Sequence, residues 1–148
     1  MMDMTTSPVT NVLQPLQRDV QRLLGRCLLR LQQYERLMKA IVAHHEISGP
    51  AHSLEAIRTA RIEDAATKTL GTLVGQLFGS YVVTDGNGGK ERDNDLPGDV
   101  ISFRTRVQLS LSAQDYAKTQ ADLKDLVSLR NTLVHHFIDQ HDLWTVDG

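Results

Sequence analysis

The feature that most constrains the fold is a long apolar pattern in residues 12–45. Its apolar positions recur in alternating steps of four and three, as they do in packed helices. The members of this stripe are Val20, Leu24, Cys27, Leu31, Tyr34, Met38 and Ile41, and it is widened by Leu16, Leu23, Leu28 and Leu37. A stripe of this width is typical of a helix inside a bundle. We therefore predict an all-α helical bundle built on one long first helix.

Backbone chemistry marks where this first helix ends. The sequence Ser48-Gly49-Pro50 cannot continue a helix. His44 and His45 are placed to cap the C-terminus, where an imidazolium suits the negative end of the helix dipole. A second helical stretch is predicted over residues 53–80, with Ser53 as its N-cap and a break around residues 60–64.

A ridge of glycines runs along the second half of that stretch. Gly71, Gly75 and Gly79 recur every four residues, so they share one face of a helix. Three glycines weaken an isolated helix by about 1 kcal/mol each relative to alanine. We expect a compensating close approach of a neighbouring helix backbone at this ridge.

The segment before the last helix has a different pattern. Residues 84–99 are polar and rich in glycine, which predicts a flexible loop. Apolar and polar residues then alternate over residues 101–111, the period of a strand. Residues 81–83 are expected to pair with this strand as a small β-hairpin packed on the helices. Ser112 is placed to cap a third helix, antiparallel to the second, that extends to Phe137.

Composition limits the classes of protein that fit. The chain has 148 residues, which suits one domain over residues 1–148, and we expect residues 1–11 to be a disordered tail. The formal net charge of −2 excludes bulk attraction to nucleic acid, so any such contact needs a local patch. No apolar run is long enough to cross a membrane, and no apolar signal segment begins the chain.

The single cysteine, Cys27, excludes an internal disulfide and favours a reducing compartment. We therefore expect a cytoplasmic protein without a membrane partner, and we place Cys27 in the core rather than in a reactive site. Residues 143–148 contain no clear helix terminus, and a fragment of a longer protein would fit this ending.

The third helix contains a charge where its pattern calls for an apolar residue. Arg130 lies in a stripe whose other members are Tyr116, Leu123, Leu126, Val127, Leu133, Val134 and Phe137. A guanidinium on an apolar face needs a carboxylate partner or an external anion, because an unpaired buried charge is very costly. Glu35 and Glu63 are the internal candidates for a purely structural pairing.

A histidine and an amide accompany this arginine. Asn131 and His135 are four residues apart and share one edge of an α-helix. In a regular α-helix Arg130 would lie about 140° from His135, so the two groups would point apart. Two chains related by a twofold axis would bring copies of both residues into one cleft, which predicts a symmetric homodimer.

The sequence Arg-Asn-Thr-Leu-Val-His at residues 130–135 resembles the Arg-x4–6-His signature of the HEPN superfamily, including the polar residue after the arginine. That resemblance implies a small helical bundle and a metal-independent endoribonuclease that acts as a dimer on RNA without a cofactor. It assigns proton transfer to His135, phosphate binding to Arg130 and orientation to Asn131, with a 2′,3′-cyclic phosphate as product.

Two further comparisons qualify this assignment: one difference and one likeness. HEPN toxins of toxin–antitoxin pairs have a tyrosine two residues after the histidine, whereas this chain has Phe137 there, so an antitoxin partner is a weaker reading. Residues 130–144 also resemble the helical region that accompanies OST-HTH (LOTUS) domains. The alternative function is therefore a non-catalytic HEPN-like module that dimerises and binds RNA or a partner domain.

Other polar residues allow further hypotheses. Arg104 and Arg106 on the polar face of the strand, together with His136, are candidate RNA-binding residues, and a solvated face is the alternative. The patch could be extended by Arg58, Arg61, Lys90 and Arg92. A metal site would draw on His135, His136, Asp139 and His141, but the spacing supplies too few ligands, so we assign no metal. His135 alone would also fit an ordinary boundary residue.

Overall fold

The computed structural model of the chain describes residues 8–86 and 99–145, and it is mostly helical with two small sheets. Residues 1–7 of the predicted tail and residues 87–98 of the predicted loop lie outside the described residues. The second range includes Lys90 and Arg92. Contacts divide the chain into a terminal unit, Met1–Gln33 with Ser128–Gly148, and a central unit, Tyr34–Val127.

The first helix, α1, covers Pro8–His44 and begins four residues before the predicted start. Leu31, Met38 and Val42 are buried along it. Cys27 and Tyr34 are exposed, so their predicted place in the apolar stripe is wrong. Val42, which lies outside the predicted stripe, is buried, so the buried face of α1 includes a position that the stripe did not contain.

The second helical stretch is divided into three parts. Helix α2 covers Leu54–Thr67, α3 covers Leu70–Gln76, and a π-helical turn follows at Leu77–Tyr81. The break lies at residues 68–69 rather than at 60–64. Thr69 explains this position, because its side chain accepts a hydrogen bond from the backbone N–H of Thr72 and caps α3. Ser53 makes no such side-chain bond to α2.

The strands do not form the predicted hairpin. Strand β1 (Glu46–Pro50) pairs antiparallel with β3 (Ser102–Arg106), whereas β2 (Val82–Thr84) pairs parallel with β4 (Leu109–Leu111). The first ladder extends to a bond from the Val107 N–H to the His45 carbonyl at 2.7 Å. The alternating segment is therefore two strands that serve two different sheets, and the fold is mostly α rather than all-α.

Gly49 explains how strand β1, which follows the first helix, packs closely against α2. A β-carbon at Gly49 would collide with Cδ1 of Ile57, so the absence of a side chain lets β1 approach α2 closely. The predicted glycine ridge behaves differently. A β-carbon at Gly71 would meet Cγ1 of Val127 at an ordinary 3.5 Å, and none at Gly75 or Gly79 would meet any atom within 4 Å. The expected close approach is therefore wrong.

Helix α4 covers Ala113–Asn131 and follows the predicted pattern through the central unit. Ser112 caps it, because its Oγ accepts from the Asp115 N–H at 3.1 Å, as predicted. The apolar side chains of α4 pack against a core that α1, α3 and the π turn provide. That core consists of Met38, Val42, Ala43, Ala65, Leu70, Leu73, Val74, Leu77, Phe78 and Val82, and it is covered by Tyr116, Leu123, Leu126 and Val127.

A second π-helical turn, Thr132–His136, follows α4 directly, and the short helix α5 covers Phe137–Gln140. These elements belong to the terminal unit, where the Gln17 side chain donates to the Leu143 carbonyl at 2.7 Å. Over residues 8–86 and 99–145, none of the helices combines the length and apolar character needed to cross a bilayer.

Candidate functional site

The π turn at Thr132–His136 determines where the motif histidine lies. Arg130 lies at the end of α4, and because a π-helix takes more residues per turn than an α-helix, the turn brings His135 closer to the side of Arg130. Nη1 of Arg130 lies 3.5 Å from Nε2 of His135. The expected separation of about 140° assumed a regular α-helix, and it is wrong for this backbone. One chain is therefore enough to bring the two groups together.

Asn131 completes the cluster. Its Oδ1 accepts from the same Nη1 of Arg130 at 3.3 Å. Asn131 and His135 are exposed and Arg130 is half-buried, so solvent reaches the cluster. A guanidinium can only donate, so a hydrogen bond to His135 would require a lone pair at Nε2. The arrangement therefore presents a cation beside a potential proton acceptor.

The surroundings of Arg130 bear on the structural alternative. Glu35, one of the two carboxylates considered for it, pairs with Lys39 at 2.9 Å. Within the described part of its own unit, Arg130 belongs to no ion pair. Its remaining N–H groups are available to an anion, which is the requirement for binding a phosphate.

His136 follows the motif histidine and is also exposed. The two imidazole rings lie 6.3 Å apart between centroids and are inclined by 64°. The ring of His141 packs instead against Phe137, at 5.0 Å. Across the residues that the structure describes, no three histidine, cysteine, aspartate or glutamate side chains gather in a way that suits a metal ion.

The two candidate RNA-binding arginines lie on β3 in the central unit. Arg106 Nη2 donates to Oε1 of Glu46 at 2.8 Å across the sheet, and Arg104 Nε approaches Oγ of Ser48 at 3.5 Å. The hydrogen bond from Arg106, together with its charge, lowers the pKa of the Glu46 carboxyl against the smaller opposing effect of burial. A phosphate at Arg106 would therefore compete with an internal carboxylate.

Arg61, considered as a possible extension of the RNA-facing patch, is instead engaged within the central unit. Its Nε donates to the Ala43 carbonyl at 3.0 Å and its Nη2 to the Val42 carbonyl at 2.9 Å. These are carbonyls of the last turn of α1, which lack partners inside the helix. Arg61 thus caps α1 from α2. Arg58 remains exposed beside Glu55, at 3.7 Å.

A further polar cluster in the central unit escaped the sequence analysis. His45, predicted only as a helix cap, is buried, and Gln76 stands at the end of α3 among buried apolar neighbours. Both line one cavity. The sequence signal that could have indicated this cluster is Gln76, a polar residue between the apolar pairs Leu73-Val74 and Leu77-Phe78.

Searches with family models, against curated proteins and against solved structures each found no match to this chain. The functional argument therefore rests on the residues themselves.

Proposed function

We propose that this protein is a HEPN-like, metal-independent endoribonuclease that acts on RNA as a homodimer through Arg130, Asn131 and His135. The observation that carries the proposal is the 3.5 Å contact between Arg130 and His135 across the π turn. It joins an anion-binding group to a proton-transferring group within one short segment, as the resemblance at residues 130–135 would require.

The chemistry follows from these two groups. Arg130 binds the scissile phosphate and offsets the charge that develops on its oxygens. This moves the guanidinium donors from the imidazole to the phosphate and frees Nε2 of His135. His135 then takes the proton of the ribose 2′-hydroxyl, whose oxygen attacks the phosphorus. The 5′-oxygen leaves with a proton, which gives a 2′,3′-cyclic phosphate and a 5′-hydroxyl.

A second proton-transferring group is needed, because one imidazole cannot remove a proton and donate another in the same step. We assign this role to His135 of a second copy of the chain. A surface for such a copy is available on α1 in the terminal unit, where Val12, Leu16 and Leu23 are 55%, 45% and 54% exposed. Their spacing of four and seven places them along one side of the helix.

The test is cleavage of labelled single-stranded RNA by the purified protein in EDTA, with detection of the cyclic phosphate. We expect His135→Ala to slow cleavage by about 10²–10⁴-fold and Arg130→Ala by about 10²–10³-fold. His136→Ala is the matched control, since it removes the neighbouring exposed imidazole, and it should cleave at nearly the wild-type rate.

Three results would count against the proposal. One is cleavage of a substrate with a single 2′-deoxyribose at the cleaved position, because that substrate lacks the attacking oxygen. Equal cleavage by wild type and His135→Ala would assign the activity to a contaminant. RNA binding by wild type without any cleavage would favour the non-catalytic module instead.

A further inference from the structure

The central unit contains a cavity that the proposed nuclease does not use. Its volume is about 380 Å³, which lies in the range of small-molecule sites. The end of α1, helix α2 and the π turn at Leu77–Tyr81 surround it. Its lining consists of Val42, His45, Glu46, Arg61, Asp64, Lys68, Gln76, Gly79 and Ser80.

His45 presents a bare acceptor to this cavity. The residue is only 7% exposed. Its Nδ1 lies 3.0 Å from the Ile41 carbonyl and 3.1 Å from the Val42 carbonyl, and because carbonyls only accept, Nδ1 carries the hydrogen. When the ring carries only this one hydrogen, Nε2 is a lone pair, and Nε2 is buried without a hydrogen-bond partner among the described residues. The edge-on Tyr81 ring, 6.0 Å away, helps to fix this orientation.

Gln76 presents a second acceptor. Its Oε1 is also buried and unpartnered within the described part of the chain. The π turn begins directly after Gln76, and Ser80 Oγ donates to the Gln76 main-chain carbonyl at 2.8 Å. π turns of this kind are frequent at functional sites. The residues that carry the two unpartnered acceptors thus line the same cavity, and leaving either acceptor unpaired is unfavourable.

The charges around the cavity favour a neutral ligand. Glu46 and Asp64 contribute two negative charges, and Arg61 and Lys68 contribute two positive charges, so the lining is neutral in sum. Each charge also has a protein partner. Lys68 pairs with Asp64, Arg106 pairs with Glu46, and Arg61 is engaged by two main-chain carbonyls. The unmet requirement of this site is therefore for hydrogen-bond donors rather than for a counter-ion.

We propose that this cavity binds a small neutral molecule bearing a planar NH₂ group, whose N–H bonds donate to Nε2 of His45 and Oε1 of Gln76. A carboxamide and an amino-substituted nucleobase both supply this group. The proposal is independent of the nuclease motif, because all of its residues lie in the central unit.

Two pairs of probes test the ligand chemistry. Adenosine is compared with purine riboside, which lacks only the amino group, and nicotinamide is compared with nicotinic acid, which replaces the amide by a carboxylate. We expect at least one amino probe to bind in calorimetry about tenfold or more tightly than its partner and to shift the His45 Nε2 resonance. Adenosine identifies a nucleobase source and nicotinamide a carboxamide source. Absence of any shift with both amino probes at about 10 mM would overturn the proposal.

Substitution of Gln76 separates a binding role from a structural one. Gln76→Leu removes an unpartnered buried acceptor, so we expect the melting temperature to stay constant or rise while the amino probe binds at least tenfold more weakly. Gln120→Leu, a half-buried glutamine of the same unit outside this cavity, is the matched control and should bind normally. Unchanged binding by Gln76→Leu, or a lower melting temperature than that of Gln120→Leu, would contradict the assignment.

Discussion

Among the residues that the structure describes, two π-helical turns follow α-helices, one at Leu77–Tyr81 in the central unit and one at Thr132–His136 in the terminal unit. The first has Leu77 and Phe78 in the core, whereas the second contains no buried residue. The same local backbone geometry is therefore held by apolar packing in one place and is exposed to solvent in the other.

The difference shows how a polar site can be inferred in each setting. At the exposed turn, Arg130 and His135 can bond to each other and to water, so their polarity alone indicates no ligand. A ligand is inferred there only from the chemistry and spacing of the two residues. Beside the buried turn, two acceptors lack partners among the described residues, and that deficiency itself points to a ligand. Removing an apolar side chain from the buried turn should therefore mainly lower stability, whereas changing the exposed turn should mainly lower cleavage.

The largest expected effect comes from removing one apolar side chain from each turn. Phe78 is 8% exposed and meets the Tyr116 ring edge-on at 5.2 Å, so Phe78→Ala should destabilise the protein by about 3–5 kcal/mol. Val134 is 46% exposed, and Val134→Ala should cost less than about 0.5 kcal/mol. Urea unfolding measures both values, and similar losses for the two variants would remove the distinction between the turns.

A change of spacing tests whether the exposed turn aligns the motif. Deleting Val134 leaves four steps between Arg130 and the histidine, and in a regular α-helix residues four apart are neighbours. We expect this variant to retain cleavage within about tenfold. Inserting one alanine after Asn131 gives Arg-x5-His, a spacing that the HEPN signature also contains. The geometry of this chain nevertheless turns the imidazole away, so we expect cleavage to fall by about 100-fold.

Circular dichroism should report unchanged helix content for both length variants, which excludes unfolding as the cause. Full activity in the insertion variant would show that contact between Arg130 and His135 is not needed. Comparable losses in both variants would show that alignment is not what the turn provides.

The smallest effect concerns the charges at the cavity. These have internal partners, whereas Arg130 belongs to no ion pair in the described part of its unit. The pKa of Glu46 is lowered in the folded protein, so its pairing with Arg106 stabilises above the ordinary value of 4.5 and is lost as pH falls through the folded value. Arg106→Gln should cost about 0.5 kcal/mol near neutral pH and less than that near about pH 3. Unfolding at both pH values, at low salt, measures this.

The control for this pair is Arg58→Gln, because Arg58 and Glu55 form a more exposed pair at 3.7 Å. Its effect on stability should be close to zero at both pH values. A loss for Arg106→Gln that persists in acid would assign the role of Arg106 to packing rather than to charge.

Some of this molecule could be predicted from local pattern alone. The apolar face of α4 through Leu123, Leu126 and Val127 packs on the core as its helical period predicts, and Ser112 caps that helix. These features depend on neighbours a few residues apart. His45 was also expected near the end of α1, and its Nδ1 does bond the final carbonyls there.

Pairing between distant segments could not be predicted in this way. The alternating residues 101–111 indicated a strand, but the pattern contains no information on which partner each half would meet. In the structure Glu46 faces Arg106 and Val82 faces Leu109, in two different sheets. The buried state of Nε2 in His45 depends on α2 and the π turn, so no local pattern could have revealed it.

The π turn explains why the geometry of the site was also missed. Residues 130–136 have the composition of an ordinary helix, and a regular helix separates Arg130 from His135. The extra residue that the turn accommodates restores their alignment. The homodimer was inferred partly from that separation, and it now depends on the resemblance and on the need for a second imidazole.

Arg61 couples two helices that are separate in sequence. Its guanidinium holds the carbonyls of Val42 and Ala43, so the last turn of α1 cannot fray without releasing a side chain of α2. Opening of either segment exposes the other, and the two should exchange their amide hydrogens together as one cooperative block. Arg61, a side chain that the sequence also offered for contact with RNA, would then hold the two helices of that block together.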